Sequence, residues 1–356
     1  MQKIIHIDAD CFFAAIEMRD DPSLADRPFA VGGSAEGRGV LTTCNYPARE
    51  YGVRSAMPTA QAYRLCPELL VMPVNIPKYR GVSAQMLDIF ERFTDQIEPL
   101  SLDEAFLDVT EVTDFAGSAS RIAEAIRSTV RTELGITVSA GVSVNKFIAK
   151  VASDWHKPDG LKVVPPEEVD SFAAALAIRA IPGVGPVTAE KLNRMGFKTC
   201  ADLRRADPLK LKRRFGSFSQ TLLERAHGQD RRRINTQRIR KSVSVEHTYS
   251  NDLANGDPCL GKLPGLLKEL RQRIEKADLS GRIRKAYVKI KFNDFSTTTV
   301  ERVGTAVTLE DYRELLVQGL ARKDLPVRLL GLGARLDPGL PERYEQLPLR
   351  IENRIL

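Results

Sequence analysis

Residues 97–109 read IEPLSLDEAFLDV, an apolar run into which two adjacent carboxylates, Asp103 and Glu104, are set. A buried carboxylate costs several kcal/mol unless something neutralises it. Basic side chains, backbone N–H groups or a metal ion can do so. On a straight strand neighbouring side chains face opposite ways, so the pair fits the turn of a hairpin, with strands near 96–101 and 105–110.

Outward from that hairpin the pattern is regular. KIIHID (3–8) is a short apolar strand ending at an Asp, and residues 82, 86, 89, 90 and 93 have the spacing of an apolar helix face. Ile122, Ile126, Val130 and Leu134 mark a second amphipathic helix. ITVSAGVSV is a strand, NKFIAKVASDW a short helix and LKVV a last strand. With residues 11–74 set aside as an inserted, partly helical subdomain, the order is β-α-β-β-α-β, the ferredoxin-like arrangement. A mostly helical module follows from about residue 166, with a Gly-x-Gly turn in IPGVGPVTAEKL. RRRINTQRIRK (231–241) is basic, has no period and reads as a linker.

The third module is expected to repeat the first topology. Its strand RKAYVKIKF alternates Ala286, Val288, Ile290 and Phe292 with Lys285, Tyr287, Lys289 and Lys291. One sheet face is therefore apolar, and the other is basic and open. The fold class is thus α+β and multidomain.

The chain has 356 residues and a net charge of +7. From Arg231 to Leu336 there are 22 Lys/Arg against 12 Asp/Glu, so this segment carries the whole basic excess. That points to a polyanionic partner. No apolar run approaches the roughly 20 residues of a membrane span, and the N-terminus turns acidic too early for a secretory signal. The five cysteines are far apart with no CxxC, which favours reduced thiols and a cytoplasmic protein.

Asp8 ends the first strand, where the 103–104 hairpin can lie beside it. Three converging carboxylates, with no Lys or Arg adjacent in either motif and no His or Cys cluster, select Mg²⁺. The chemistry this suits is two-metal phosphoryl transfer. Asp10 is a weaker candidate, because strand alternation turns it away.

IDADCFFAAIE, TCNYPAREYGVRSAMP, PLSLDEAFLDVT, SAGVSVNKFIAKVASDWHKPDG and IPGVGPVTAEKL follow one another as in the Y-family translesion DNA polymerases, which the chain resembles over nearly its full length. The resemblance implies a palm (1–10 and 75–165), fingers (11–74), a thumb (166–230) with a helix-hairpin-helix (181–203), a linker (231–241), a little finger (242–337) and a tail (338–356). It implies primer-template DNA and deoxynucleoside triphosphates as substrates, two Mg²⁺ ions, low-fidelity synthesis on damaged templates without proofreading, and a monomer. Asp8, Asp103 and Glu104 would hold the metals, with the Ala9 carbonyl as a further ligand. Thr43, Tyr46, Arg49 and Lys157 match residues that hold the incoming triphosphate, and hydroxyls, guanidinium and ammonium suit phosphate oxygens. Phe13 matches the steric gate, a ring that leaves no room for a ribose 2′-OH.

Gly183 and Gly185 fit an anion nest for a DNA phosphate. Lys285, Lys289, Lys291 and Arg240 would add backbone contacts. In the tail, Gln346, Leu347 and Leu349 of QLPLR resemble the peptide by which such polymerases dock on a sliding clamp. Two rival readings remain. A haloacid-dehalogenase-type phosphatase would share the strand-end Asp-x-Asp but leave the basic module without purpose. A non-catalytic DNA-binding protein with a degenerate palm predicts a lost carboxylate, and none is lost.

Overall fold

Strand β1 (Ile4–Ala9) is apolar on both sides of its pleat. Ile5 and Ile7 enter the main core, while Ile4 and His6, equally buried, turn the other way with Asp8. The computed structural model describes residues 1–305 and 307–337. Backbone contacts divide the chain into two compact units, Met1–Arg238 and the part from Ile239 onward.

After β1 the first unit makes an insertion of α1 (Phe12–Asp20), β2 (Phe29–Gly32), β3 (Leu41–Cys44), α2 (Tyr46–Glu50), α3 (Thr59–Leu65) and β4 (Leu70–Met72), whose strands form a small sheet in the order β3-β2-β4. The chain returns through α4 (Ile76–Glu91), the hairpin of β5 (Ile97–Pro99) and β6 (Glu104–Asp108), α5 (Ala119–Leu134), β7 (Val138–Ser143), α6 (Lys146–Ser153) and β8 (Leu161–Val163). The large sheet runs β5-β6-β1-β7-β8. Its first four strands have the ferredoxin-like order, and β8 adds a parallel edge. The strands of the hairpin are shorter than expected, and Glu104 starts β6 instead of sitting in the turn.

The sheet is covered on both faces. Helices α4 and α5 bury Met86, Ile89, Phe90, Ile122, Ile126 and Val130 against Ile5, Ile7 and Leu107. Helix α5 is capped by Ser118 and stops at Gly135, whose φ of +65° is a left-handed conformation that glycine adopts freely. Helix α6 lies on the opposite face. A Cβ at Gly141 of β7 would fall 2.0 Å from the Ala149 carbonyl oxygen, so glycine there is what lets α6 dock so closely.

Five helices follow: α7 (Val169–Ala175), α8 (Pro186–Arg194), α9 (Cys200–Arg204), α10 (Pro208–Phe215) and α11 (Phe218–Ala226), around a second core that Phe147, Ile148 and Ala152 of α6 share. Residues 231–238 have no regular structure, yet they are tied to the first unit. The Asn235 amide donates to Glu98 (2.7 Å), and the Arg238 guanidinium donates to the Leu100 carbonyl (3.1 Å).

The second unit comprises β9 (Ser242–Leu253), α12 (Asp257–Leu260), α13 (Leu263–Lys276), β10 (Ile283–Phe292), β11 (Thr297–Val303), α14 (Leu309–Leu320) and β12 (Val327–Leu336). The βαββαβ element order is as expected, but the topology is not a repeat. The strands run β11-β10-β12-β9, so the second and fourth strands are central here, whereas the first and third are central in ferredoxin-like order. Apolar periodicity sets which face of a strand is buried, and both orders satisfy it. The alternation along β10 holds, with Ala286, Val288, Ile290 and Phe292 buried on the helices.

All five cysteines are free and buried. No helix among the described residues is long and apolar enough to cross a membrane. The QLPLR peptide lies outside the described residues.

Candidate active site and nucleic-acid interface

Asp8 sits directly across from Glu104 in the β1–β6 ladder, and the Ala9 amide donates to the Asp103 carbonyl at 2.9 Å. The hairpin turn is thereby stitched to the end of β1. Beyond it, Cys11 adopts a left-handed φ of 43° as the N-cap of α1, turning the chain sharply from strand to helix. A cleft of about 240 Å³ opens at this corner. Asp8, Ala9, Phe13, Thr43, Arg49, Asp103 and Lys157 line it, together with Thr42 and Ser55, which the sequence did not single out.

Glu104 lies beside this group but is held from below. It accepts hydrogen bonds from Lys150 on α6 and from His6 Nε2 (3.2 Å), residues that sequence reasoning missed. The ring carries a single proton when neutral, so with Nε2–H directed at Glu104 its Nδ1 accepts from the Ser153 hydroxyl, 2.8 Å away. Burial alone would raise the Glu104 carboxyl, but the hydrogen bonds from His6 and Lys150 bring it down to about 2. His6 is pushed down to about 4 by its burial, so the ring is neutral at pH 7.

Asp8 differs. Burial lifts its carboxyl to about 6, against the pull of Lys157, which donates to it, and the charge of Asp103 adds to the rise. The expectation that no basic group stands by these carboxylates therefore holds only along the sequence. Lys150 and Lys157 approach from residues more than 40 positions away. Asp10 has a structural role: it is buried and accepts from Thr137, Ser139 and the Asp159 amide, each at 2.8 Å.

The donors available to a cation are mostly hard oxygens. His6, Asp8 and Glu104 each bring a donor atom within 4.8 Å of the others, and Asp103 lines the cleft alongside. This composition fits a divalent ion of the Mg²⁺ class. Tyr46 starts α2, and its hydroxyl is buried with no hydrogen-bond partner. A buried orphan hydroxyl is costly and suits an absent polar ligand. The Arg49 guanidinium lies 4.7 Å over the Tyr46 ring. Phe13 stacks on Tyr79 with centroids 4.1 Å apart, and the Tyr79 hydroxyl is fixed by Glu17 at 2.8 Å. Phe12 is core.

The Gly-x-Gly turn lies elsewhere in this unit. Gly183 has φ +92°, a conformation that requires glycine, and Gly185 is the N-cap of α8. The segment before the turn is only a 3₁₀ turn, Ile178–Ala180, so the first helix of the motif is short. A larger, mostly apolar cleft of about 700 Å³ runs beside it, but it lacks the convergent carboxylates and hydroxyls of the small cleft. In the second unit Lys285, Lys289 and Lys291 project from one face of β10. Lys285 pairs with Glu301 (2.6 Å) and Lys289 with Glu246 (2.7 Å), which tempers the expected basic face. Arg240 donates to the Ser242 carbonyl.

Comparison with known proteins agrees with this arrangement. The model of the impB/mucB/samB family matches residues 7–154, that of the DNA polymerase-iota thumb domain residues 179–230, and that of the impB/mucB/samB C-terminal domain residues 240–349. The chain is 56% identical over 348 residues to DNA polymerase IV of Ectopseudomonas mendocina, covering 98% of this chain and 99% of that one. It is 55% identical over 336 residues to DNA polymerase IV of Ralstonia nicotianae, with 94% of each covered. Among solved structures, a Y-family chimera of the polymerases Dbh and Dpo4 superposes with a TM-score of 0.85 at 27% identity, over 94% of this chain and 98% of that one. The chain belongs to the Y family of DNA polymerases. It is a metal-dependent, DNA-directed DNA polymerase of the translesion class, acting on DNA and nucleotides. The phosphatase and degenerate-palm readings fall with that assignment.

Proposed function

We propose that the 240 Å³ cleft at the end of β1 is the nucleotide-addition site of this polymerase. The observation that carries the reading is that seven residues nominated separately for metal, nucleotide and sugar contacts line one small space. Asp8, Asp103 and Glu104, with the Ala9 carbonyl, would hold two Mg²⁺ ions. Bound there, the ions supply an activated primer hydroxyl and charge compensation for the triphosphate and the leaving pyrophosphate. Thr43, Tyr46, Arg49 and Lys157 orient the triphosphate, and the orphan Tyr46 hydroxyl gains its missing partner. Phe13, braced by Tyr79, excludes the ribose 2′-OH. His6 and Lys150 hold Glu104 ionised and in place.

Gly183, Gly185, Lys285, Lys289, Lys291 and Arg240 serve as sequence-independent contacts to the DNA backbone. The protein works as a cytoplasmic monomer and docks on a sliding clamp through Gln346, Leu347 and Leu349. Primer extension by the purified chain, with Mg²⁺ and with a chelator, tests the central claim; extension that survives metal removal would sink it. Deleting residues 346–356 should abolish stimulation by a loaded clamp and leave synthesis on a short primer unchanged.

A further inference from the structure

The turn between β10 and β11 carries an aromatic residue in a position built for glycine. The Phe292 amide donates to the Ser296 carbonyl (2.9 Å) and the Phe295 amide to the Phe292 carbonyl (3.0 Å), leaving Phe295 at φ +66°. A hairpin turn of this kind ordinarily takes Gly at its left-handed residue, because a Cβ there is strained. Phe295 is also 61% exposed, so the chain accepts both backbone strain and an apolar ring in water at one residue. The only other phenylalanine with positive φ among the described residues, Phe115, packs its ring on Phe93.

Phe295 has different company. The Lys291 ammonium lies 4.9 Å from its ring centroid and the Arg328 guanidinium 4.7 Å. Both cations rise from neighbouring strands of the sheet, β10 and β12, with a bulge at that point of the ladder. The acid of the turn, Asp294, is consumed by Ser296 and Lys323. Neither Lys291 nor Arg328 has an ion pair among the described residues.

We propose that Phe295 is a stacking platform for an unpaired nucleobase of single-stranded DNA, with Lys291 and Arg328 taking the flanking phosphates. An exposed ring with two cations close by matches what a single strand offers, a π face beside a phosphate. Bases stacked inside a duplex offer no such face. This rests on the reading that the open sheet face of the second unit meets DNA.

The test uses the full chain, a fluorescently labelled single-stranded oligodeoxynucleotide carrying 2-aminopurine, and a blunt duplex. Phe295→Gly relieves strain and should fold at least as well, checked by thermal unfolding. It is expected to weaken single-strand binding about five- to hundredfold. The salt slope should not change, since no charge is lost, and blunt-duplex binding should stay within about twofold. Phe295→Trp should retain single-strand binding and 2-aminopurine quenching. Single-strand affinity of Phe295→Gly within about twofold of the parent, or an equal loss on blunt duplex, overturns the proposal. Lys291→Ala separates the two readings: if it weakens DNA binding and Phe295→Gly does not, only the stacking fails. If neither variant changes affinity, the DNA-facing sheet fails as well.

Discussion

The two βαββαβ sheets spend their charges differently. In the first, helix α6 covers the second face, and charge is largely withdrawn from water there in matched pairs: Lys146 with Glu98, and Lys150 with Glu104, to which neutral His6 adds a hydrogen bond. In the second, no helix among the described residues covers the open face of β10, and Lys285 and Lys289 find carboxylates on other strands of the sheet, β11 and β9. Buried pairs fix geometry, since a carboxylate out of water cannot wander from its partner. Exposed pairs are weak and exchangeable, and a polyanion can compete for them. One sheet is thereby suited to hold reacting groups still, and the other to bind a strand whose sequence varies.

The sharpest way to break this contrast is at the rigid end. Asp103→Asn keeps the shape of the cleft but removes a charge from the proposed metal site. Primer extension should fall by at least about a hundredfold, the scale of losing a preorganised electrostatic contact, while the dissociation constant for primer-template stays near the parent value. Weakened DNA binding with chemistry preserved would reverse the roles given to the two sheets.

Stability provides the next test. The Lys146 side chain is 5% exposed and its partner Glu98 15%, and Glu98 also accepts the Asn235 amide. Glu98→Ala leaves a buried ammonium unpaired and should cost about 3–5 kcal/mol in urea unfolding of the first unit. Glu301→Ala, which removes the partner of the half-exposed Lys285, should cost too little to resolve. Equal losses would erase the distinction between covered and open faces.

Phe13→Val probes a different rigidity, the ring held by Tyr79. Ribonucleotide incorporation relative to deoxynucleotide should rise at least tenfold, since about 1–3 kcal/mol of steric exclusion is at stake. Single-nucleotide incorporation measures it. An unchanged ratio would leave Phe13 as a packing residue.

Much of this was legible in the sequence, for stated reasons. Period-two and period-3.6 patterns located β1, α4, α5 and β10 closely, because burial of one face dictates them. Asp8 and Asp103 came together as expected, since the element order brings their strands side by side. What remained hidden was long-range pairing. His6 lies two residues before Asp8 on the same side of β1, the one local hint, but nothing near it in sequence announces Lys150 or Ser153. Tyr79 behind Phe13 was invisible for the same reason. The strand order of the second sheet escaped too, because alternation says which way a side chain points and not which strand lies beside it.

The smallest effect is expected on the open sheet, where the pairs themselves decide it. Lys289 is committed to Glu246 at 2.7 Å, whereas Lys291 has no carboxylate partner among the described residues. A phosphate approaching Lys289 must displace Glu246, and the pair together carries no net charge. Lys291→Ala should therefore lower the slope of log K against log salt by up to ~0.9, one phosphate contact on duplex. Lys289→Ala should lower it less, because part of that lysine's charge is already spent. The reciprocal change sharpens the point: Glu246→Gln releases Lys289 and should tighten DNA binding by about twofold, the scale of an exposed pair, and steepen the salt slope. Titrations of labelled duplex at several salt concentrations measure all three variants. If Lys289→Ala and Lys291→Ala change the slope equally and Glu246→Gln does nothing, the cross-strand carboxylates do not compete with DNA, and the open face is simply a basic surface.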